Sequence, residues 1–324
     1  MNAPDHAAAL AATASMEDLY RALVPTGMGP GWNKPEPSLW PAPRANFRPV
    51  HWSYATAHAA LDAAGRFVST ELAERRNLIL FNPVPGNTYA TVRTLIAAYQ
   101  MVMPHETARS HRHTPNALRL VVDAAPGAYT VVDGRKIPMA PGDVLLTPNW
   151  AWHGHSNESD ARAYWIDFLD VPTVHFLEPM FFETYHERIE RTDIVDAASP
   201  FRFAFADVRK RLESAAPARP GWRSVELGPP RMDTIGLHVG RLEAGARLQA
   251  GRTTANSIYA VIEGGGTSDI DGSVFHWARG DVFAVPAWRP AVHESRAGAT
   301  LLRVTDEPLM RMLHWLREEP EGGE

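Results

Sequence analysis

After residue 91 the chain consists of short apolar runs separated by glycine, proline and aspartate. Runs of this length, bounded by turn-forming residues, are typical of an all-β domain. The pattern predicts strands at 93–102, 117–123, 128–132, 144–147 and 163–168. Residues 171–220 have helical segments instead, among them a predicted helix at 206–214, and the β pattern returns after a proline-rich break near Pro217 and Pro220.

The segment before residue 91 is predicted to be helical and irregular. Ser15, followed by Met16-Glu17-Asp18, has the pattern of a helix N-cap. Further helices are expected at 54–64 and 70–76.

Residues 25–53 are rich in proline, glycine and tryptophan. We expect an ordered arm here, because a disordered linker would lack large aromatic side chains, which need apolar surface to cover them. The tryptophans concerned are Trp32, Trp40 and Trp52.

The second half of the β region repeats the first at an offset of 138 residues. The offset maps Asp133-Gly134 onto Asp271-Gly272 and Gly142-Asp143 onto Gly280-Asp281. It also maps Pro148 onto Pro286, Trp150 onto Trp288 and His155 onto His293. Two related β-barrels are therefore expected.

The repeat predicts how the 324 residues divide, since a chain of this length exceeds one small core. The expected segments are an arm with helices (1–90), a first barrel (91–172), a helical connection (173–225), a second barrel (226–306) and a helix with a tail (307–324). In the tail, a helix at 309–317 should pack its apolar face onto a neighbour. That face consists of Leu309, Met312, Leu313 and Leu316.

Composition narrows the function. A formal net charge of -5 argues against a nucleic-acid partner. The absence of cysteine excludes disulfides, iron–sulfur ligation and thiolate nucleophiles, and leaves histidine and carboxylates for a borderline metal such as Fe(II). Residues 1–15 lack the basic start of a signal peptide, and no apolar run reaches membrane-spanning length. We expect a soluble cytoplasmic protein with no membrane partner.

His111-Arg112-His113 is the strongest chemical signal. In a strand, residues two apart point to the same face about 7 Å apart along the chain, so both imidazoles can bind one metal. A third ligand from a neighbouring strand would leave the opposite coordination positions open, as in a reaction site. His153 and His155 both follow the Pro141-Gly142-Asp143 turn, and spacing alone does not choose between them.

Two barrels with these motifs resemble the bicupin fold. The usual single-cupin motif has a Glu a few residues after the His pair, whereas Thr114-Pro115-Asn116-Ala117-Leu118 contains none. The chain thereby resembles the gentisate 1,2-dioxygenase and salicylate 1,2-dioxygenase family, in which three histidines bind Fe(II) without a carboxylate. The resemblance covers most of residues 70–170, including Ala73-Glu74-Arg75-Arg76 and Trp150-Ala151-Trp152-His153-Gly154-His155, and the repeat extends it to about residue 305.

The resemblance implies a mainly β, double-cupin fold with an amino-terminal helical, Pro/Trp-rich arm and a few connecting helices. It implies His111, His113 and His153 as metal ligands, with Fe(II) as cofactor and O2 as co-substrate. His155 and Asp167 are the implied catalytic residues, and the implied substrate-binding residues are Gln100, Arg119, Arg75 and Arg76. Of the two adjacent arginines, one could reach the substrate while the other makes an ordinary ion pair.

In the second barrel the counterparts of the three metal-binding histidines at offset 138 are Gln249, Gly251 and Ala291. None of them is a histidine or a carboxylate. We expect a metal-free second barrel that serves as scaffold and interface.

Arg119 can be assessed from the residues alone. It shares parity with His111 and His113, so a turn that conserves parity would place it inside the same barrel. A buried Arg is costly unless it meets an anion, and a substrate carboxylate is the natural one. The structural alternative is an ion pair with a buried acid.

Other candidates also have structural alternatives. The carboxylate of Asp167, between Ile166 and Phe168, needs a partner such as His155 or a substrate hydroxyl. Gln100 could be a core-edge amide satisfied by backbone. His105 and Glu106 precede the ligand strand and are expected to be solvated.

The expected reaction opens the ring of a 2-hydroxybenzoate between the carbon bearing the carboxylate and the carbon bearing the hydroxyl. Gentisate or a 5-substituted salicylate, such as 5-nitrosalicylate, is the expected substrate, because small residues at 54–61 would leave space if they line the pocket. His58 or Lys34 could then meet a polar substituent. By family likeness we expect a homotetramer.

Two other readings remain open at this point. A cupin isomerase or hydrolase using Zn or Mn would also fit three histidines, and would act without dioxygen. A non-catalytic cupin that binds an aromatic acid would show no turnover.

Overall fold

The computed structural model describes residues 3–228 and 232–319. Its helices, in chain order, are α1 (Ala3–Ala11), α2 (Met16–Leu23), α3 (Tyr54–Gly65), α4 (Val171–Leu177), α5 (Phe205–Ser214) and α6 (Glu307–Met312), with a 3-10 turn at Val24–Thr26. Among the described residues, no helix combines the length and the apolar character needed to cross a membrane.

The strands up to residue 203 are β1 (Val50–Trp52), β2 (Arg76–Ile79), β3 (Ile96–Val102), β4 (His111–His113), β5 (Ala117–Asp123), β6 (Ala128–Val132), β7 (Arg135–Pro138), β8 (Val144–Thr147), β9 (His153–Asn157), β10 (Ala163–Leu169), β11 (Phe182–Thr184) and β12 (Arg202–Phe203). They build the first barrel from a six-stranded sheet, ordered β12-β8-β5-β10-β3-β2, and a five-stranded sheet, ordered β11-β4-β9-β6-β7. Strand β1 is the exception and belongs to the other barrel.

The later strands are β13 (Trp222–Glu226), β14 (Gly236–Leu242), β15 (Arg247–Ala250), β16 (Arg252–Thr253), β17 (Ser257–Ile270), β18 (Ser273–Ala278), β19 (Val282–Val285), β20 (Ala291–Glu294), β21 (Ala299–Thr305) and β22 (Glu318–Glu319). The second barrel contains the order β1-β19-β17-β21-β14-β13, with β15, β18 and β20 attached. The mainly β, double-cupin prediction is confirmed.

Strand β17 crosses from one side of the second barrel to the other. Its first half pairs with β19 and β21, and its second half pairs with β18 and β20. A glycine run marks the bend, and Gly264 there has a φ of +79°. A Cβ on Gly266 would lie 2.2 Å from the Glu294 carbonyl oxygen, so only glycine allows this close approach.

Backbone conformation supports the predicted repeat. Asp133 and Asp271 have φ of 44° and 50°, each followed by a glycine with positive φ, and Trp150 and Trp288 have φ of 65° and 63°. One strand is displaced from the predicted alignment. Ala250 lies opposite Ala291, as His111 lies opposite His153, so the counterpart of His111 is Ala250 rather than Gln249.

The two barrels exchange their leading segments. Strand β1 pairs with β19 of the second barrel, and β12 pairs with β8 of the first. The helix after each strand starts on the other barrel's Gly-Asp turn: Tyr54 N donates to Asp281 Oδ1 at 2.8 Å, and Phe205 N donates to Asp143 Oδ1 at 2.9 Å. Repeat residues thus hold the barrels together.

Period-two alternation separates two cores in the first barrel. On β10, Ile166 and Phe168 face a large apolar cluster shared with the second barrel, whereas Trp165 faces the barrel interior. Asp167 shares the interior parity with Trp165. The same alternation on β5 turns Arg119 inward.

Most local predictions are confirmed. Strands β5, β6 and β8 have the predicted bounds, helices α3 and α5 occupy the predicted segments, and Ser15 Oγ accepts from Asp18 N at 3.1 Å. Strand β3 starts at Ile96 rather than at residue 93, because Thr91 and Val92 turn back to donate to the Leu95 carbonyl.

The helix predicted at 70–76 is wrong. These residues form turns that lead into β2, because the segment from Arg76 onward pairs with β3. The predicted tail helix ends early, at Met312, because His314 adopts a left-handed φ of 58°. Leu309 is buried, whereas Met312 is exposed.

The chain divides into two compact units at Arg44, and both barrels lie in the unit that begins at Ala45. The expectation that apolar surface covers all three arm tryptophans is wrong for two of them. Trp32 and Trp40 are 70% and 49% exposed, and the Arg44 guanidinium stacks 4.5 Å from the Trp40 ring centroid. Trp52 is half-buried against the large apolar cluster.

Candidate active site

Strands β4 and β9 bring three histidines together inside the first barrel. His111 lies opposite His153 in the strand register, and His113 follows two residues later on the same face. The ring centroids of His111 and His113 are 4.5 Å and 4.8 Å from that of His153. One nitrogen of each imidazole lies within 4.8 Å of the others, a spacing that suits a shared metal ion.

Hydrogen bonding indicates which nitrogens face a metal. His113 Nδ1 donates to the Pro115 carbonyl at 2.8 Å, and His153 Nδ1 donates to the Ala151 carbonyl at 3.0 Å. Their Nε2 atoms are therefore the ones free to ligate.

The protonation of these rings fits a metal site. Burial lowers the pKa of His113 to about 4, and burial lowers the pKa of His153 well below its usual value. Both imidazoles are therefore neutral at neutral pH, as metal binding requires. Three imidazole nitrogen ligands fit Fe(II), and they also fit Zn(II) or Mn(II).

Arg119 lies deep in the same interior. It is 1% exposed and donates to Thr130 Oγ1 at 2.8 Å and to Thr147 Oγ1 at 3.1 Å. Its Nη1 also lies 2.5 Å from His155 Nδ1. Burial lowers its pKa to about 10, so it is still a cation at neutral pH. Its Nε is buried and makes no hydrogen bond within the described residues.

Asp167 is the buried acid nearest Arg119, with Oδ1 3.6 Å from Arg119 Nε. Trp165 Nε1 donates to the same Oδ1 at 2.9 Å. Asp167 contacts Trp165 and Arg119 in place of the expected His155. Arg119 itself contacts both Asp167 and His155. The ion-pair alternative for Arg119 is therefore present, but at a distance longer than a hydrogen bond.

Gln100 and Arg75 extend the polar cluster towards the barrel mouth. Arg75 Nε donates to Gln100 Oε1 at 3.1 Å, and Arg75 Nη2 is 3.8 Å from Asp167 Oδ2. Gln100 is buried, and its side-chain oxygen accepts from an arginine rather than from backbone. Arg75 thus joins Arg119 as a second cation beside Asp167.

Arg76 lies elsewhere. Its guanidinium is buried and binds the Glu106 carboxylate and the Val68 carbonyl. The expectation that Glu106 is solvated is wrong, because it also accepts from Met103 N at 2.9 Å. Of the two adjacent arginines, Arg75 approaches the site and Arg76 makes the ordinary pair.

His155 completes the interior wall. It is buried, and its ring centroid is 6.2 Å from that of His153 and 5.3 Å from that of Trp165. Burial, followed by the charge of Arg119, lowers the pKa of His155 well below its usual value. Its imidazole is therefore neutral at neutral pH.

Sequence reasoning missed the surroundings of His111. A cavity of about 280 Å³ beside this ligand is lined by Ala73, Glu74, Arg75, Asn77, His111 and Phe182. Glu74 Oε2 lies 3.3 Å from His111 Nδ1 and 3.4 Å from Arg75 Nη1. Burial raises the pKa of Glu74, but His111, Arg75 and Arg109 outweigh it and lower the pKa overall. The stretch Ala73-Glu74-Arg75-Arg76, which carries part of the family resemblance, was the available signal for this contact. It does not indicate which of its side chains lies next to His111.

Arg112 was also missed. It lies between His111 and His113 of β4, with Cζ 4.5 Å from the ring centroids of both Trp150 and Trp152. Its Nε donates to Glu183 Oε2 at 2.7 Å. The two tryptophans directly precede β9, so this stack links both ligand-bearing segments.

The segment 54–61 does not line the site. It forms the start of α3, whose Tyr54, Ala57 and Leu61 pack into the large apolar cluster outside the barrel interior. His58 stacks on Tyr164 at 4.5 Å, and Tyr164 has the outward parity on β10. Small residues there create no space for a substrate.

With this geometry established, comparison with known proteins identifies relatives. The family model described as the cupin domain matches residues 98–169. Gentisate 1,2 dioxygenase 1 of Aquipseudomonas alcaligenes is 32% identical, over 95% of this chain and 97% of that protein. The 5-aminosalicylate 1,2-dioxygenase of Comamonas sp is 30% identical, over 98% of this chain and 92% of that protein.

A solved structure agrees. The salicylate 1,2-dioxygenase of Pseudaminobacter salicylatoxidans superposes with a TM-score of 0.87 at 27% identity, covering 96% of this chain and 99% of that one. The same enzyme has been solved as an adduct with gentisate, and that structure matches with a TM-score of 0.88.

Proposed function

This chain belongs to the gentisate and salicylate 1,2-dioxygenase family of ring-cleaving enzymes, and from that premise we propose that it is an Fe(II)-dependent 1,2-dioxygenase of a 2-hydroxybenzoate. One observation carries the proposal. Three clustered histidines lie near two arginines that share a single buried aspartate. A cation pair of this kind suits a carboxylate beside a metal.

Arg119 and Arg75 bind the substrate carboxylate in this proposal. Arg119 Nε is buried without a hydrogen bond in the described structure, and it is the donor available to an incoming anion. Gln100 orients Arg75 through the 3.1 Å contact to its Nε. Asp167 holds both guanidinium groups without neutralising them fully, since one carboxylate faces two cations.

His155 accepts the phenolic proton of the substrate. Its neutral ring lies beside His153 and contacts Arg119, so it is near both the metal ligands and the carboxylate site. Burial, and after it the charge of Arg119, keeps the imidazole neutral before substrate binds. A metal held by His111, His113 and His153 would bind the substrate oxygens and activate dioxygen.

A 5-substituted salicylate, such as the 5-nitro compound, is proposed as substrate alongside gentisate. The space at 54–61 no longer supports this choice, but the cavity between Asn77 and Phe182 beside His111 does. Asn77 is exposed to that cavity and offers an amide to a polar ring substituent. The relative named for 5-aminosalicylate is consistent with a substituent at this position.

The test is oxygen uptake by anaerobically iron-loaded protein, given gentisate, salicylate and 5-nitrosalicylate in turn. Uptake should be stoichiometric with loss of the aromatic absorbance. Turnover without oxygen would favour a Zn or Mn isomerase or hydrolase, and binding without turnover would favour an aromatic-acid-binding protein. A matched control is Glu158→Gln, because Glu158 pairs with Lys136 and Tyr129 at the surface, outside the site.

Specificity constants then rank the substrates. A clear preference for gentisate over both salicylates would remove the substituted-salicylate proposal while leaving the dioxygenase proposal intact. Asn77→Ala should change the ranking among 5-substituted compounds more than it changes the rate with unsubstituted salicylate.

We also propose a homotetramer located in the cytoplasm. Exposed apolar side chains beside the metal-bearing strand, Phe176, Leu177, Phe181 and Phe182, offer a surface for subunit contact. Light scattering coupled to size exclusion measures the subunit number, and cell fractionation measures the location.

A further inference from the structure

The three metal-binding histidines differ in what holds their Nδ1 atoms. His113 and His153 each donate to a neutral backbone carbonyl. His111 instead has the Glu74 carboxylate 3.3 Å from its Nδ1. This contact is within ion-pair distance, but it does not meet the geometry of a hydrogen bond, and the nitrogen is buried.

We propose that Glu74 is a positioning residue of the metal site, which accepts a hydrogen bond from His111 Nδ1, directs His111 Nε2 to the metal and places a negative charge just outside the ligand set. The proposal rests on the metal site of the proposed function. It assigns to Glu74 a task that a ligand carboxylate performs in the usual cupin motif, since residues 114–118 contain no Glu.

Charge balance is the first reason. Three neutral imidazoles leave the full charge of a divalent ion uncompensated, and Arg75 and Arg119 add two further cations nearby. Asp167 faces both arginines, whereas Glu74 is the carboxylate that touches a ligand ring. In a buried site, a carboxylate at this position strengthens the ligand and offsets the charge of the ion.

Geometry is the second reason. Glu74 approaches His111 at Nδ1, so Nε2 is the nitrogen that would remain for a metal shared with His113 and His153. Its Oε2 also lies 3.4 Å from Arg75 Nη1. The same carboxylate oxygen of Glu74 therefore lies close to both His111 and Arg75. An experiment must separate the direct effect of Glu74 on His111 from an effect that passes through Arg75.

The experiment measures Co(II) binding to metal-free protein by competition with a chromophoric chelator, without substrate. Glu74→Gln should weaken Co(II) affinity about 10-fold or more, as loss of an outer carboxylate does at other metal sites. The visible absorption of bound Co(II) should also shift, because His111 becomes a weaker donor. Glu158→Gln should keep the wild-type affinity and spectrum.

Arg75→Met separates the two roles of the carboxylate. It should raise KM for the 2-hydroxybenzoate while keeping Co(II) affinity close to that of the wild type. If Arg75→Met weakens Co(II) as much as Glu74→Gln does, the effect on the metal passes through Arg75 and the proposal is overturned.

Folding is checked by circular dichroism. Should Glu74→Gln not fold, Glu74→Asp takes its place, since it withdraws the carboxylate by one methylene and should bind Co(II) more weakly than the wild type. Wild-type affinity and spectrum in a folded variant overturn the proposal. Wild-type protein that binds no stoichiometric metal would instead refute the metal site of the proposed function.

Discussion

Replacement of Arg119 by methionine should abolish most substrate recognition while leaving the metal site intact. The guanidinium is fully buried, and no other described residue takes up its Nε. Methionine keeps the apolar stem and removes the charge, and the three histidines lie on other strands. We expect a large fall in kcat/KM for the 2-hydroxybenzoate and an unchanged metal content.

The size of the effect follows from burial. Truncating one partner of a buried charge-assisted pair costs about 2–5 kcal/mol. Arg75 remains as a second cation near Asp167, so the loss should lie in the middle of that range. Because about 1.4 kcal/mol corresponds to a factor of ten, kcat/KM should fall about 100- to 1,000-fold.

Arg119→Lys is the matched control for charge. An ammonium group cannot bind Thr130, Thr147 and a substrate carboxylate together as the planar guanidinium can, so recovery should be partial. Steady-state oxygen uptake gives kcat/KM, and elemental analysis gives metal content. An unchanged specificity constant in folded, metal-loaded Arg119→Met would refute the assignment of Arg119 to the substrate carboxylate.

Three further predictions concern the metal and the fold. Alanine at any one of the three metal-binding histidines should remove metal and activity, whereas His293→Ala should leave metal content unchanged; elemental analysis decides, and metal retained by a ligand variant would contradict the assignment. Arg112→Leu should lower metal affinity and thermal stability together, because it removes the stack that joins the two ligand segments, and Co(II) titration with melting curves tests this. Burial raises the pKa of Asp306 from 3.8 to about 6, so the folded state holds this proton more tightly than the unfolded state. The stability that this proton contributes is fully present below pH 3.8 and is lost as the pH rises through 6. Urea unfolding at several pH values should show the unfolding free energy of the wild type, relative to that of Asp306→Asn, falling by about 3 kcal/mol over that window. A pH-independent difference would contradict the burial argument.

The barrel strands could be predicted because their cause is local. Alternation of apolar and polar positions places one face of β5 and β10 against a core, and the bounds of β5 are those of the pattern. Failures occurred where a partner strand decided the outcome. A helix was predicted at 70–76, yet its last residue, Arg76, begins a strand that pairs with β3.

The same distinction applies to the site. His111 and His113 share a face through strand geometry alone, and the parity of Arg119 relative to them holds because the turn at 114–116 conserves it. Trp165 lies on the same strand as Asp167, but the two charged partners of Asp167 do not. Arg119 comes from β5 and Arg75 from the turn before β2, so the pattern along β10 could not predict them. Glu106 was expected in solvent for the same reason, since Arg76 is 30 residues away in sequence.

By itself, the sequence determined the double barrel, the repeat and the His111-x-His113 pair, because strand periodicity, a recurring residue pattern and a two-residue spacing can all be read along the chain. The choice of His153 as third ligand came from family resemblance. Only the tertiary structure decided that β1 completes the second barrel's sheet, that α3 lies outside the pocket and that Glu74 contacts His111. These contacts join segments tens to hundreds of residues apart. Which of many polar side chains meet is set by how two barrels pack, and no local pattern along the chain records that packing.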